Sequence, residues 1–478
     1  MKHAKKLTAL SLSLLLLFSA NLYACETAEE DTATYIELSD GSVEIAVGES
    51  YTLTADTDGK KVVFTSDATH IAKVDEDGVI TAVAEGEATI KARSGNKRAY
   101  CEVKVVPEKE QPVDPVSYAT FKEAYQNYFP IGAAVQTNML VNGKYGELTG
   151  QYSSLTSENG MKWKNIEATK GVYTFNREQD SADELVTWAK NNGVGVRGHC
   201  LLWYKSLPKW LHDEFVGKSF SAANKTAAIN YIEERIEKMM THYGSDIYAW
   251  DVVNEALFNS ISSDKLVTSS EKPYGNIFRT NDNMSETSTD WVDWYKVTGG
   301  YEYIAKAFKK AGEVREKYNI KTELYYNDYS LNTPNKRQAC LNLIKMLKDN
   351  NAPIDGVGMQ AHYRLGDYLE NKNTWLKNFE DSVKAFIAAG VDVQLTELDI
   401  RYEGEANETK ELQQADMYGE IMKICRKYAK KDNAHGVTGV TFWGVYDGAN
   451  GAWGSKYKPM PFDENRNPKK AFYAMTTF

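Results

Sequence analysis

Two glutamates stand where apolar stretches of the sequence give way to polar ones. The stretch Tyr248–Leu257 ends its apolar run in the pair Asn254 and Glu255. A second apolar stretch, Val391–Ile400, runs into Glu397. Two carboxyl groups, each at the end of its own strand, are what the hydrolysis of a glycosidic bond needs, because one donates a proton and the other acts as nucleophile or base.

Each carboxylate taken singly could instead be the strand-end partner of a structural ion pair. The surrounding residues favour a shared site. Tyr, Trp and Val favour strands, and a near-continuous apolar run is typical of a parallel strand that is covered on both faces. In an α/β barrel, polar residues at the C-terminal ends of such strands lie on the catalytic face.

Strands and helices that would hold these residues alternate along the sequence from about Tyr118 onward. Apolar, strand-like segments alternate with long helical patterns, which predicts repeated βα units and an α/β fold, the (β/α)₈ TIM barrel. The eight predicted strands centre on Ile131–Val135, Ser153–Thr156, Gly195–Gly198, Tyr248–Val253, Glu323–Tyr326, Gly356–Met359, Val391–Thr396 and Gly439–Phe442. The predicted helices include Ala222–Thr241, Tyr301–Tyr318, Lys336–Asp349, Trp375–Ala389 and Thr409–Lys430.

Polar or aromatic residues follow nearly every predicted strand. Unrelated strands have no common reason to collect such groups at the same end, so we expect them to form one site. In chain order, these residues are Glu158, Asn159 and Lys162; His199 and Trp203; Asn254 and Glu255; Asn327 to Tyr329; Gln360 and His362; Glu397 and Asp399; and Trp443. The segment 259–293 is longer than a usual βα loop and is predicted to be an insertion at the rim.

The segments Trp250–Glu255 and Leu395–Asp399 resemble the acid/base and nucleophile motifs of glycoside hydrolase family 10, the endo-β-1,4-xylanases. The resemblance runs from about Tyr118 to the C-terminus. It implies that Glu397 is the nucleophile and Glu255 the acid/base of a retaining hydrolase that cleaves the β-1,4-xylan backbone by double displacement.

The resemblance also implies roles for the neighbouring side chains. Asn254 would bind the sugar 2-hydroxyl, and His362, held by Asp399, would orient Glu397. Trp203, Trp443 and Trp453 resemble aromatic walls of the subsites on the non-reducing side, and Tyr329 a ring across the cleavage point. The residues that resemble the family's hydroxyl-binding set are Glu158, Asn159, Lys162, His199 and Gln360.

The sequence departs from the family pattern near Trp203. The family usually reads Trp-His-Ser-Gln there, whereas this chain has Trp203-Tyr-Lys-Ser206, so a glutamine contact to the sugar is missing or replaced. Tyr363 stands where leucine is common, and the loop from Trp443 to Trp453 is about two residues longer than usual. These departures leave open how strongly the non-reducing side binds.

Composition and charge exclude some classes of partner. The chain has 478 residues, of which 42% are hydrophobic and 26% charged, and this is typical of globular domains. Its net charge of −10 argues against nucleic acid or an acidic membrane surface as a partner. We expect a monomer that binds xylan or xylo-oligosaccharides, and we expect no cofactor.

The N-terminus is typical of an exported protein. Residues 1–24 combine Lys2, Lys5 and Lys6 with an apolar run, which predicts a signal peptide. The ending Leu22-Tyr-Ala-Cys25 resembles a bacterial lipobox, so Cys25 would carry the lipid of a membrane-anchored lipoprotein, at the outer membrane or cell surface. A plain secretory signal is the alternative. Residues 25–33 would then form a polar tether.

Short alternating segments in residues 34–106 predict a small all-β sandwich. Val47–Leu53 and Val74–Ala82 resemble the bacterial Ig-like domains of group 2. A spacer is favoured over a glycan-binding module because no cluster of Trp or Tyr offers a stacking surface. Residues 107–117, with prolines at 107, 112 and 115, form a linker to the catalytic domain at 118–478.

The remaining cysteines are isolated in the sequence, and none is spaced with His for zinc, so we expect free thiols and no metal site. These cysteines are Cys101, Cys200, Cys340 and Cys425. Two other functions stay open: a β-1,4-glucanase on the same scaffold, and a glycan-binding surface lipoprotein with little catalysis.

Overall fold

The computed structural model describes residues 32–59, 61–107, 115–280, 288–432, 434–448 and 457–478. The chain divides into two compact units, one up to Val113 and the other from Asp114. Cys25, Trp453 and the signal segment lie outside the described residues.

The N-terminal unit is all-β. A four-stranded sheet has the order β2-β9-β8-β5, a three-stranded sheet has the order β3-β7-β6, and β1 pairs with β4. Ile80, Ile90 and Val103 are buried in its apolar core. The strands are β1 Ile36–Leu38, β2 Ser42–Ala46, β3 Ser50–Thr52, β4 Ala55–Thr57, β5 Val63–Ser66, β6 Ala72–Val74, β7 Val79–Ala82, β8 Gly86–Ser94 and β9 Lys97–Val106.

The second unit is a closed barrel of eight parallel strands, in which β18 pairs with β10 and β15 pairs with β17. The predicted α/β barrel and the all-β domain before it are both confirmed. A ninth, short strand, β16, pairs with the end of β17. The strands are β10 Ile131–Val135, β11 Ser154–Ser157, β12 Gly195–Gly198, β13 Ile247–Asn254, β14 Glu323–Asp328, β15 Gly356–Met359, β16 His362–Arg364, β17 Asp392–Arg401 and β18 Val437–Phe442.

Helices surround the barrel, and side-chain caps mark where several of them begin. Ser181, Ser221 and Asn407 each accept a hydrogen bond from a backbone N–H of the first turn, which satisfies a donor that has no partner in the helix. The helices are α1 Phe121–Tyr125, α2 Thr137–Val141, α3 Trp163–Ile166, α4 Ala182–Asn191, α5 Lys209–Phe215, α6 Ala222–Tyr243, α7 Trp294–Thr298, α8 Glu302–Lys317, α9 Pro334–Asp349, α10 Leu365–Glu370, α11 Lys372–Ala388, α12 Glu408–Lys427 and α13 Lys470–Thr476.

The seventh barrel strand is longer than predicted. β17 continues to Arg401, so Glu397 and Asp399 lie within the strand and not after it. The backbone stays extended there because β16 pairs alongside it, with His362 opposite Asp399. A three-residue strand has no periodicity that a sequence pattern could reveal, which is why the extension was not predicted.

The described ends of the 259–293 insertion pair with the loops that carry the site. Leu257 pairs with Phe278, and Lys205 pairs with Trp291. The insertion therefore joins the segment after Glu255 to the loop after Trp203.

Two further expectations concern the cysteines and the membrane. The four described cysteines are buried and free, as predicted. In the part of the chain that the structure describes, no helix combines the length and the apolar character needed to cross a bilayer.

Candidate active site

Glu397 lies in β17 and is 5% exposed. Its Oε1 accepts a hydrogen bond from Asn327 Nδ2 at 2.8 Å, and its Oε2 lies 3.0 Å from His362 Nε2. Burial by itself would raise the pKa of Glu397, but the hydrogen bond from His362 and the electrostatic interaction with His199 lower it below its ordinary value. Glu397 is therefore ionised at neutral pH.

His362 is held between two carboxylates. Its Nδ1 lies 2.7 Å from Asp399 Oδ2, and Asp399 is fully buried. Burial opposes protonation, but the charges of Asp399 and Glu397 raise the pKa of His362 to about 10. The imidazole is thus protonated at neutral pH and donates from both nitrogens, which fixes the orientation of the Glu397 carboxylate.

Glu255 directly follows β13 and is partly exposed. Its φ of 55° is left-handed, a conformation that costs a non-glycine residue about 1 to 2 kcal/mol. Its N–H donates to the Asn327 carbonyl at 2.8 Å. Burial, followed by the charge of Asp328, raises the pKa of Glu255 above its ordinary value, although a hydrogen bond from Gln360 and the charge of Arg279 oppose the shift.

Three amides connect the two carboxyl groups. Asn327 Nδ2 donates to both Glu397 and Asn254 Oδ1, the latter at 2.9 Å. Gln360 Nε2 donates to Glu255 Oε1 at 2.9 Å and to Asn254 Oδ1 at 3.3 Å. Because Asn254 Oδ1 accepts twice, its amide orientation is set and its N–H groups are directed to the other side, where Nδ2 lies 3.5 Å from Glu255 Oε1.

Two of the predicted aromatic walls, Trp203 and Trp443, lie near Lys162, Asn159 and His199. Lys162 Nζ donates to Asn159 Oδ1 at 3.0 Å and lies 5.5 Å from the centre of the Trp203 ring. The ring of His199 is 5.3 Å from that of Trp443, and His362 is 6.3 Å from the same indole. These groups therefore share one region with Glu397.

Glu158 and Asp180 adjoin this group. Glu158 interacts electrostatically with both Lys162 and Asp180. Burial and the charge of Glu158 raise the pKa of Asp180. Partial burial lowers the pKa of Lys162, while nearby Cys200, Glu397 and Glu158 oppose that shift. The region thus combines hydrogen-bonding groups of both charges with indole faces, as a sugar-binding surface requires.

Tyr329 lies beyond Glu255. Its hydroxyl accepts from Arg279 at 2.8 Å and donates to Asn259, and Lys336 Nζ lies 4.4 Å from its ring centre. The residue is partly exposed, and these contacts fix its hydroxyl and one face of its ring. Trp453, the third predicted aromatic wall, lies outside the described residues.

Some residues of this network were given no role in the sequence analysis. Asn327 and Asp328 were expected near the site, because they directly follow the apolar part of the fifth strand, but without a stated function. Asp251 had a signal in the sequence, as a charged residue inside an apolar strand; it is fully buried, binds Arg197 at 2.5 Å and lies 2.9 Å from His199 Nδ1. Arg279 had no signal in the sequence that would place it at the site, because it lies in an insertion without periodicity.

The site combines an ionised carboxylate, Glu397, with a carboxyl group of raised pKa, Glu255, and amides connect the two. Among the described residues, no group of three or more His, Cys, Asp or Glu side chains is arranged to hold a metal ion.

Comparisons with known families cover both units. Residues 120–478 match the family described as glycosyl hydrolase family 10, and residues 32–103 match the bacterial Ig-like domain of group 2.

The curated relatives and solved structures agree with the match in the barrel. The chain is 36% identical over 375 residues to a β-1,4-xylanase of Dictyoglomus thermophilum, which covers 75% of this chain and 91% of that protein. A crystal structure of an endo-1,4-β-xylanase from Caldicellulosiruptor owensensis is 30% identical, with a TM-score of 0.61, and covers 76% of this chain and all of that one. A xylanase from Thermoanaerobacterium saccharolyticum, solved as a variant with xylotetraose, is 28% identical with a TM-score of 0.58, covering 75% of this chain and 98% of its own.

Proposed function

The chain belongs to glycosyl hydrolase family 10, and we propose that its barrel hydrolyses internal β-1,4 linkages of xylan with retention of the anomeric configuration. One observation carries the proposal. Two glutamates that are connected by Asn254, Asn327 and Gln360 have pKa values shifted in opposite directions, lowered for Glu397 and raised for Glu255. That is the division of labour between nucleophile and proton donor.

In the first step, the ionised Glu397 attacks the anomeric carbon while Glu255 protonates the departing oxygen. Gln360 donates to Oε1 of Glu255, so Oε2 is the oxygen that carries the transferable proton. The imidazolium of His362 and the amide of Asn327 hold the two oxygens of Glu397, which limits the reorganisation that attack requires. The products are a glycosyl-enzyme on Glu397 and a free sugar hydroxyl.

In the second step, Glu255 has lost its proton and acts as a base. It takes a proton from water, the water oxygen attacks the anomeric carbon, and Glu397 leaves as a carboxylate. The two inversions give net retention, and Glu255 ends protonated, as it began, with a proton taken from water.

The polar groups around the carboxylates would select the sugar. The N–H groups of Asn254 suit the 2-hydroxyl of the sugar being cleaved, a contact that strengthens as the ring becomes oxocarbenium-like. Trp203 and Trp443 would close around a xylose ring, which lacks the hydroxymethyl group of glucose. Asn159, Lys162 and His199 would bind its remaining hydroxyls.

We further propose that the protein is an exported, monomeric lipoprotein anchored at the cell surface through Cys25, with the Ig-like domain as a spacer. The sequence from Leu22 to Cys25 supports the anchor, and the absence of Trp from residues 34–106 supports the spacer over a sugar-binding module. Light scattering in solution would test the proposed monomer.

Product analysis on xylan, arabinoxylan and cellulose tests the activity. We expect xylo-oligosaccharides of mixed length from the first minutes of reaction on xylan, because cleavage is internal. Cellobiose or longer glucose oligomers from cellulose, at a rate above that on xylan, would instead indicate a glucanase. Binding of xylan without any released sugar would indicate a glycan-binding protein.

A further inference from the structure

Arg279 is a nearly buried cation in the 259–293 insertion, with an exposed fraction of 8%. Its Nε donates to the backbone carbonyl of Glu255 at 2.7 Å, and its NH2 group donates to the Tyr329 hydroxyl. The guanidinium carbon lies 4.3 Å from the centre of the Tyr204 ring. One side chain thus contacts the backbone of Glu255, the ring across the cleavage point and the loop after Trp203.

The partners of Arg279 are unusual for a buried guanidinium. Of the residues that the structure describes, none places a carboxylate in salt-bridge contact with it, and burying an unpaired cation is unfavourable. The face of Tyr204 partly offsets that cost through a cation–π contact. Tyr204 stands where the family usually has histidine, so this chain carries an aromatic face suited to the arginine.

The contact with Glu255 constrains a residue whose conformation needs support. Glu255 is left-handed, its N–H is bound by the Asn327 carbonyl, and its own carbonyl is bound by Arg279. With both backbone groups bound, the direction in which the Cα–Cβ bond of Glu255 leaves the backbone is set. The backbone N–H of Arg279 also donates to the Ala256 carbonyl at 2.8 Å, so the insertion is paired to the segment after Glu255.

We propose that Arg279, supported by the face of Tyr204, is a positioning residue that holds Glu255 in its proton-donating orientation and ties it to Tyr329. The part of the insertion that carries Arg279 then contributes to the active site and is not only a rim loop. This inference rests on the proposed function, because it needs Glu255 as the proton donor.

The charge of Arg279 also acts on Glu255. The charged and titratable groups that face Glu255 are Asp328 and Glu397, which raise its pKa, Arg279, which lowers it, and Lys336, Tyr204, Tyr329 and Cys200. Removing the positive charge therefore leaves the two carboxylates less opposed, and the pKa of Glu255 rises further.

The test compares Arg279→Met and Arg279→Lys with the unchanged full-length protein. The control is Arg337→Met, because Arg337 is a half-buried arginine that likewise donates to a carbonyl and a hydroxyl, those of Asn378 and Ser382, between outer helices. For each protein, kcat/KM is measured against pH on soluble xylan and on a dinitrophenyl xylobioside, whose leaving group needs no protonation.

For Arg279→Met we expect xylan hydrolysis to fall by on the order of 10-fold or more, the range for losing a charge-assisted hydrogen bond to the site. Its alkaline limb on xylan should move to higher pH, while formation of the glycosyl-enzyme from the dinitrophenyl substrate stays close to that of the unchanged protein. Arg279→Lys keeps the charge but not the paired donors, so its rate should fall while its alkaline limb stays in place.

An alkaline limb that does not move in Arg279→Met, or one that moves as far in Arg337→Met, would overturn the proposal. If Arg279→Met does not fold, as judged by circular dichroism, Arg279→Lys decides, and an unchanged rate on xylan would contradict a positioning role. Failure of the unchanged protein to cleave xylan would instead refute the proposed function itself.

Discussion

Glu255 and Glu397 are the same amino acid, yet their surroundings shift their pKa values in opposite directions. Glu397 faces a protonated histidine and an amide donor. Glu255 is affected by burial and by the carboxylate of Asp328, which forms an ion pair with Lys336, with 3.1 Å between Oδ1 and Nζ. Both residues are glutamates with the same intrinsic pKa, so the opposite shifts, and the roles proposed from them, follow from the surroundings.

The two carboxyl groups should respond differently to the quality of the leaving group. Glu255→Ala should abolish xylan cleavage but still form the glycosyl-enzyme from a dinitrophenyl xylobioside, because an activated phenol leaves without a proton. A burst followed by slow turnover is expected, with azide restoring the turnover. Glu397→Ala lacks the nucleophile, so no leaving group should restore retaining hydrolysis.

Stopped-flow measurement of dinitrophenol release gives the size of the burst and the turnover rate of each variant. Each should lose on the order of 10² to 10⁴-fold or more on xylan, the range for removing a positioned acid/base. Equal losses on the natural and the activated substrate in both variants would contradict the assigned roles.

The pH profile should report the opposite pKa shifts. Since the folded protein lowers the pKa of Glu397, activity should persist below the ordinary pKa of a glutamate, and since it raises the pKa of Glu255, the alkaline limb should lie above that value. His362→Asn removes the positive charge beside Glu397. The acid limb of kcat/KM should therefore move to higher pH in this variant, and an acid limb that stays in place would show that His362 does not lower the pKa of Glu397.

At the scale of the elements, the side chain of Asn327 depends on the neighbouring strand. It bridges Asn254 and Glu397 from β14, and its Oδ1 accepts from Thr396 at 2.5 Å. On β15, a Cβ added at Gly358 would lie 2.3 Å from that oxygen, so only glycine leaves room for the amide. Strand packing thus determines where the connecting amide lies.

Gly358→Ala should displace Asn327 without touching either glutamate. We expect kcat on xylan to fall by on the order of 10- to 10²-fold, as small displacements of catalytic groups do. Gly366→Ala is the matched control, because an added methyl group there meets nothing within 4 Å. Steady-state kinetics with both variants gives the comparison; similar rates for the two would mean that Asn327 is not needed where it lies.

The barrel strands could be predicted because their apolar runs are continuous and end in polar residues. The same feature predicted Glu255, Glu397 and His362. What the sequence could not reveal are contacts between distant segments that lack periodicity. The short strand β16, which keeps β17 extended past Glu397, has only three residues. Arg279 lies 24 positions after Glu255, and no local pattern links the two.

At the scale of the whole molecule, the two units have separate cores, and the described residues of the candidate active site belong to the barrel unit. Among the described residues of the N-terminal unit, the exposed aromatic side chains are Tyr35, directly before β1, and Tyr100, on β9. Two exposed aromatic side chains are few for a surface that stacks on sugars, in keeping with the proposed spacer.

The proposed anchor makes a prediction about location. Cys25→Ala should move the protein from the membrane fraction to the soluble fraction without changing its rate on soluble xylan, because Cys25 would carry only the lipid. Stable anchoring needs more than one acyl chain, as in a bacterial lipoprotein. Fractionation followed by immunoblotting measures this, and an unchanged protein that is already soluble would contradict the anchor.

The stereochemistry of the first-formed product tests the central claim most directly. A double displacement through Glu397 inverts the anomeric carbon twice, whereas a single displacement by water inverts it once. Proton NMR of xylo-oligosaccharide hydrolysis, recorded before mutarotation, should show the β-anomer appearing first and the α-anomer only later. An initial α-anomer would contradict the account.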